Sequence, residues 1–126
     1  MERRVVITGL GAITPIGNDA KEFWKSIKDG KCGIDQITKF DTTDFKVKLA
    51  AEVKGYNPED YFDRRDAKRL DTFSQYAMIA SREAWKDSGL DKETENMERV
   101  GVIIGSGIGG IETIETENQK CIERGP

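Results

Sequence analysis

The sequence predicts an α/β fold, because two short runs of β-branched residues are each followed by a glycine-rich turn and a helix. The first run is Val5 to Thr8 and the second is Val100 to Ile104. Such runs bounded by glycine are typical of strands buried on both faces, as in a parallel sheet. Residues 46–54 alternate between apolar and charged side chains, which predicts a strand with one exposed face. These strands are too few to complete a parallel sheet, so we expect an incomplete one.

The first helix is predicted to begin near residue 20. Asn18 or Asp19 can cap it, and Glu22 follows Asp19 at the spacing of a capping box. Gly30 is placed to end the helix. Its apolar residues share one face and are Ala20, Phe23, Trp24 and Ile27. We interpret Phe23 and Trp24, together with Trp85, as core or interface packing.

The middle of the chain is predicted to be a loop followed by helices. Residues 31–45 are polar and predict a loop, and Asn57 with Pro58 predicts a turn or a helix start. A helical region is predicted from Asp63 to Ser88, with a glycine cap at Gly89. The apolar stripe of this region is made mostly of small residues, which allows close packing on a sheet or another helix: Leu70, Phe73, Ala77, Ala80 and Ala84.

The glycine-rich segment 105–110 precedes a final predicted helix and satisfies a dinucleotide-binding pattern. That pattern also requires an acidic residue about 20 positions later, at the end of a second strand. Glu123 has this spacing, but its neighbours do not resemble a strand. A nucleotide-binding module therefore stays a minor alternative, and physical grounds favour a structural role in which these glycines permit close packing of helix and sheet.

Composition excludes several other classes of protein. The 126 residues carry a net charge of −3 with both signs interspersed, so we expect no nucleic-acid partner. No apolar run approaches a membrane span, so we expect no membrane association and a cytoplasmic location. The chain contains no histidine, and its two cysteines, Cys32 and Cys121, have neither metal-site nor disulfide spacing. We expect no metal and no cofactor, and we interpret both cysteines as non-catalytic.

Several separate motifs resemble the β-ketoacyl-[acyl-carrier-protein] synthases. They are 4–11, 14–17, Gly33-Ile34, Phe40-Asp41, the helix between Asp71 and Gly89, and the segment 105–110. The order and spacing match over essentially all of residues 1–126, which we expect to be the N-terminal portion of the first half of a synthase. The resemblance is greatest to the type II synthases of bacterial fatty-acid elongation. It implies a thiolase-like layered fold of two similar α/β halves and a homodimer.

The resemblance also implies the chemistry. Family members form a thioester between an acyl chain and a cysteine, and two histidines help to decarboxylate malonyl-carrier before the carbanion attacks. None of these three residues is among the 126, so we expect the chain alone to be inactive. Fragments of polyketide or type I ketosynthases, and a non-catalytic carrier-binding module, stay open as alternatives.

Two candidate sites follow. The basic residues Arg64, Arg65, Lys68 and Arg69 fall within about 140° of one helix surface, which suits an acidic partner or a solvated face. The resemblance implies docking of acyl carrier protein at Arg65, Lys68 and Arg69. It also implies that Ile108, with Gly107, lines the acyl pocket. On physical grounds alone, Ile108 is interpreted equally well as a core isoleucine that anchors the turn.

Overall fold

A computed structural model describes residues 3–125. Met1, Glu2 and Pro126 belong to the predicted 1–126 unit but lie outside the described residues. The helices are α1 (Ala20–Lys28), α2 (Arg64–Arg69), α3 (Thr72–Ser88) and α4 (Ile111–Arg124), and the strands are β1 (Asp35–Gln36) and β2 (Leu49–Ala50). Short 3₁₀ turns occupy Pro58–Asp60 and Met97–Arg99. Contacts divide the chain into two compact units, one comprising residues up to Tyr56 with Ile79–Leu90, the other Asn57–Met78 with the residues from Asp91.

In the first unit, the predicted capping of α1 is confirmed. The Asp19 carboxylate accepts from the Glu22 backbone N–H at 2.7 Å, and the Glu22 carboxylate accepts from the Asn18 N–H at 2.9 Å. Gly30 ends the helix with a φ of +65°, which only glycine adopts readily. Trp24, in contrast, is 59% exposed and is not a core residue in this chain.

Two residues of the small-residue stripe, Ala80 and Ala84, pack closely on the segment 9–12, which is neither the sheet nor the helix that the sequence predicted as a partner. The extended segment 9–12 lies against the C-terminal half of α3, where a Cβ on Gly9 would stand 2.1 Å from the Ala84 carbonyl oxygen. Two carboxylates of α3 bind the same segment: Asp87 accepts from Leu10 N–H at 2.9 Å, and Glu83 accepts from Ala12 N–H at 2.8 Å. The glycines thus bring the backbone close enough for α3 to hold it.

The paired strands are shorter than predicted. β1 and β2 are antiparallel, with Asp35 opposite Ala50 and Gln36 opposite Leu49. The predicted loop 31–45 therefore contains a strand, and only two residues of 46–54 form one. The pair is supported by side chains: Lys54 Nζ contacts Asp35 at 2.7 Å, and the Thr38 hydroxyl donates to Glu52 at 2.7 Å.

The prediction of two buried strands, at 5–8 and 100–104, is wrong for this structure. Neither 5–8 nor 100–104 is paired within the described residues, and Val5 and Ile103 are 91% and 98% exposed. A strand needs hydrogen-bonding neighbours on its edges and a layer on each apolar face. Residues 3–125 provide neither for these segments, so their sequence preference for a strand is not realised.

The second unit contains the helical region that the sequence predicted to start at Asp63. It is broken at Leu70 and Asp71 into α2 and the first part of α3. Gln75, which is only 3% exposed, donates from its side-chain amide to the carbonyls of Ala67 and Leu70, at 2.9 and 2.8 Å. A buried side chain therefore satisfies the carbonyls at the end of α2 and holds the break between the helices.

Candidate functional site

The basic face of α2 is exposed on a well-capped helix. The Asp63 carboxylate accepts hydrogen bonds from the backbone N–H groups of Arg65 and Asp66, at 2.9 and 2.8 Å. It therefore caps two N–H groups at the start of the helix that have no partner within the helix. All four predicted docking residues are exposed, and within residues 3–125 none forms a salt bridge: Arg64, Arg65, Lys68 and Arg69. Asp66 is half-buried. The face therefore presents positive charge to a partner without an acidic side chain paired to it.

The glycine turn before α4 has a defined shape. The Ser106 hydroxyl accepts from the Gly109 N–H at 3.0 Å, and Gly109 has a φ of +80°. Ile108 stands between them and is 74% exposed, while a Cβ on Gly107 would meet nothing within 4 Å. Residues 3–125 therefore leave Ile108 largely exposed and do not bury it in a core of their own.

Asp71 is a residue of this region that the sequence analysis did not single out. Its carboxylate accepts a hydrogen bond from the Thr113 hydroxyl in the first turn of α4. It also lies against Gly110, where an added Cβ would be 2.5 Å from a carboxylate oxygen of Asp71. The signal in the sequence that pointed to such a residue was Gly110, which has no side chain with which to cap α4.

A polar cavity of about 310 Å³ in the second unit brings part of these residues together. Lys68, Asp71 and Thr113 line it, with Gln75 at its inner side and Glu112 and Glu117 on α4. Ile108 and Gly107 are not among its lining residues. The structure thus connects one edge of the basic face with the start of α4, but it does not bring the basic face and Ile108 into one pocket.

A larger cavity, of about 820 Å³, lies in the first unit and contains none of the predicted site residues. Its lining mixes the lysines Lys21 and Lys86 with the carboxylates of Asp19, Glu83 and Asp87. Two of these carboxylates, Glu83 and Asp87, are occupied with backbone N–H groups, as described above. We assign no chemistry to this cavity.

The remaining candidates provide no catalytic centre within residues 3–125. Cys32 and Cys121 are exposed free thiols, and no group of three potential ligands is placed to hold a metal ion in the described part of the chain. Glu123 lies inside α4 and accepts from Gln119 at 2.7 Å, so it does not end a strand as dinucleotide binding requires. No helix among the described residues is both long and apolar enough to cross a bilayer.

Comparison with known proteins identifies the class. The family model described as "Beta-ketoacyl synthase, N-terminal domain" matches residues 2–125. The chain therefore belongs to the β-ketoacyl synthase family, as its N-terminal domain. It is 50% identical over 124 residues to 3-oxoacyl-[acyl-carrier-protein] synthase 2 of Staphylococcus aureus strain COL, covering 98% of this chain and 30% of that protein. It is 48% identical over 125 residues to the Vibrio cholerae protein of the same name, covering 99% of this chain and 30% of that protein.

Solved structures agree with this assignment. The ishigamide ketosynthase/chain length factor matches with a TM-score of 0.78 and 28% identity, covering 99% of this chain and 31% of that one. A β-ketoacyl synthase from Burkholderia phymatum matches with a TM-score of 0.75 and 29% identity over the same shares. A complex of a type II PKS acyl-carrier protein with its ketosynthase matches with a TM-score of 0.77 and 28% identity, covering 99% of this chain and 33% of that one. The predicted fold class, an incomplete N-terminal part of a thiolase-like α/β fold, is confirmed.

Proposed function

We propose that this chain forms the N-terminal part of a 3-oxoacyl-[acyl-carrier-protein] synthase of the second type, acting in fatty-acid elongation. The observation that carries the proposal is the 50% identity to synthase 2 along 98% of the chain. The chain spans about 30% of the length of the curated relatives it matches, so the activity belongs to the whole synthase.

The proposed reaction is a decarboxylating condensation. A cysteine thiolate first attacks the thioester carbon of the acyl-carrier and displaces the carrier thiolate, which forms an acyl-cysteine thioester. Malonyl-carrier then loses CO₂, and the resulting carbanion attacks the acyl-cysteine carbon and expels the cysteine thiolate. A histidine-free chain with two exposed cysteines does not supply the residues for these steps. We therefore expect these 126 residues alone to be inactive and to contribute the carrier-docking surface and a wall of the acyl pocket.

The carrier-docking role is assigned to the basic face of α2. Four exposed cationic side chains, none in a salt bridge with the described part of the chain, suit the acidic surface of an acyl carrier protein. The similar ketosynthase that was solved with its acyl-carrier protein supports this kind of partner. Gly107 and Ile108, in the turn before α4, are assigned to the acyl pocket.

A homodimer in the cytoplasm completes the proposal. α4 has three exposed apolar side chains, Ile111, Ile114 and Ile122, with exposed fractions of 61%, 64% and 72%. A second copy or the rest of the synthase would bury such a row, because contiguous apolar surface of this kind is usually covered. The proposed use of carrier-bound acyl substrates in fatty-acid elongation supports the cytoplasmic location.

The test compares two charge reversals of equal size in the complete synthase that contains this segment. Lys68→Glu with Arg69→Glu changes the last turn of α2, and Lys25→Glu with Lys28→Glu changes the last turn of α1. We expect the α2 variant to weaken binding of unloaded acyl carrier protein at least tenfold and to flatten its salt dependence. The α1 variant controls for net charge and for the helix dipole. Equal affinity of both variants and the parent would contradict docking at α2.

A second candidate is a carrier-binding module without turnover. It is favoured by one observation: all four basic side chains of α2 are exposed within residues 3–125, so the basic face is free to bind a carrier. Carrier binding by the protein without release of CO₂ from malonyl-carrier would support it. A polyketide synthase is the in-family alternative, suggested by the ketosynthase neighbours at 28% identity, and a preference for polyketide over saturated acyl chains would support that assignment.

A further inference from the structure

We propose that Asp71 is a positioning residue that holds the start of α4 and thereby sets the position of the glycine turn and of Ile108. The inference rests on the proposed function, because the position of the turn matters for catalysis only if Ile108 lines the acyl pocket. Asp71 itself is not proposed to touch a substrate.

The first step is the rigid placement of Asp71. Its backbone carbonyl accepts from the Gln75 N–H at 3.0 Å and so starts α3. Gln75 is buried, and its amide also binds the carbonyls of Ala67 and Leu70 at the end of α2. The backbone at Asp71 is therefore held from both sides by the helices that it separates.

The second step is the contact with α4. The Asp71 carboxylate accepts from the Thr113 hydroxyl and lies beside Gly110, which has no side chain to cap the helix. A negative charge at this end of a 14-residue helix is favourable, because the first N–H groups carry partial positive charge. Asp71, at the break between α2 and α3, thus places a carboxylate beside the start of α4, where Gly110 has no side chain.

The third step connects this contact to Ile108, two residues before Gly110. The turn is closed on its other side by the hydrogen bond from Gly109 N–H to Ser106, and the ring of Phe73 lies 3.9 Å from the position of a Cβ on Gly109. Asp71 and Phe73 therefore hold the C-terminal end of the turn from the start of α3. Loss of the Asp71 contact leaves that end less constrained and shifts the mean position of Ile108.

The experiment uses the complete synthase that contains this segment and compares Thr113→Val with Thr113→Ser. Valine keeps the shape of threonine but cannot donate to Asp71, whereas serine retains the hydroxyl; Thr113 is exposed, so neither change disturbs a core. In Thr113→Val we expect amide hydrogen exchange at residues 107–110 to accelerate about tenfold, the size expected for loss of one hydrogen bond to a charged group. Thr113→Ser should restore the parent rate.

The functional readout is the ratio of kcat/KM for long and short acyl-carrier substrates. Thr113→Val should reduce this ratio about fivefold or more without changing affinity for unloaded carrier, and Thr113→Ser should restore it. Ile108→Phe serves as the positive control. If that control alters the ratio while Thr113→Val leaves both the ratio and the exchange at parent values, the positioning role is overturned and the proposed function stands.

A double-mutant cycle gives an independent readout that needs no activity. Gly110→Ala places a methyl group against the Asp71 carboxylate and should raise the equilibrium constant of unfolding. The factor by which it raises that constant should be at least fivefold smaller when Asp71→Ala is also present. Additive effects would overturn the proposed contact. If the parent synthase shows no condensation but the cycle and the exchange data show coupling, the proposed function fails and the positioning role of Asp71 is supported.

Discussion

Gly11 lies so close to Ala80 that a Cβ on the glycine would stand 1.9 Å from the alanine carbonyl oxygen. The obstructing atom belongs to the backbone of α3, which cannot move aside as a side chain can. Gly9 and Ala84 have the same relationship one turn along the helix. Two glycines that are two positions apart thus match two alanines that are four positions apart, which allows the segment 9–12 to lie directly on a helix.

Gly11→Ala should therefore destabilise the chain strongly. Overpacking of this kind costs about 1–3 kcal/mol or more, and the backbone obstruction favours the upper part of that range. Urea unfolding measures the effect. Gly101→Ala is the matched control, because nothing lies within 4 Å of its added Cβ and we expect a change within about 0.5 kcal/mol. Equal stability of the two variants would contradict the packing of 9–12 on α3.

Glu83 holds two separate segments with its two oxygen atoms, and Glu83→Gln should disturb both. One oxygen accepts from Ala12 N–H at 2.8 Å and the other from Ala20 N–H at 2.9 Å. Glutamine has only one acceptor oxygen, so one N–H would face an amide N–H₂ group, at a cost of about 1–3 kcal/mol. The free energy of unfolding is the measurement.

Asp87→Asn provides the comparison for Glu83→Gln. Asp87 is exposed and accepts from Leu10 N–H through one oxygen, and an asparagine oxygen can also accept this hydrogen bond. We expect a loss below about 0.5 kcal/mol. A larger loss for Asp87→Asn than for Glu83→Gln would show that the number of bound N–H groups does not decide the cost.

The carboxylates beside the small sheet should titrate at low pH. The hydrogen bond from Lys54 lowers the pKa of Asp35 below its ordinary 3.8, with a further contribution from the Gln36 N–H, and the Thr38 hydroxyl lowers the pKa of Glu52 below 4.5. Because the folded pKa is depressed, the stabilisation is present above these ordinary values. It is lost as the pH falls through the folded pKa.

Carboxyl ¹³C NMR titrations test this assignment with reciprocal controls. Lys54→Met should raise the pKa of Asp35 and leave that of Glu52 unchanged. Thr38→Val should raise the pKa of Glu52 and leave that of Asp35 unchanged. High salt should reduce the Coulombic part of the Lys54 effect, because both partners are exposed. A shift of both carboxyls in either variant would indicate that the two pairs are not independent.

Ile108→Phe in the complete synthase should shorten the acyl chains that the enzyme accepts. A larger side chain in a packed pocket costs about 1–3 kcal/mol, so kcat/KM for long acyl substrates should fall about tenfold while short ones are retained. Ile34→Phe is the control, since Ile34 is a comparably exposed isoleucine outside the glycine turn and outside α4. The acyl-pocket assignment fails if chain-length preference is unchanged, or if both variants change it equally.

The helices and their caps were predictable because their causes are local. The Asp19–Glu22 pair, the positive φ at Gly30 and Gly89, and the start at Asn57 all depend on residues within one turn of each other. The basic face of α2 was also predictable, because the spacing of charged residues along a helix decides which of them share a surface.

The sequence by itself determined the family, the helices and their ends, and the absence of the catalytic cysteine context and histidines among these 126 residues. Only the tertiary structure decided that 5–8 and 100–104 find no strand partner within residues 3–125, since a strand depends on neighbours distant in the chain. It also decided that Glu83 and Asp71 hold Ala12 and Thr113, which are 71 and 42 positions away in sequence. Local periodicity contains no information about such contacts, because they form only when the fold brings the two segments together.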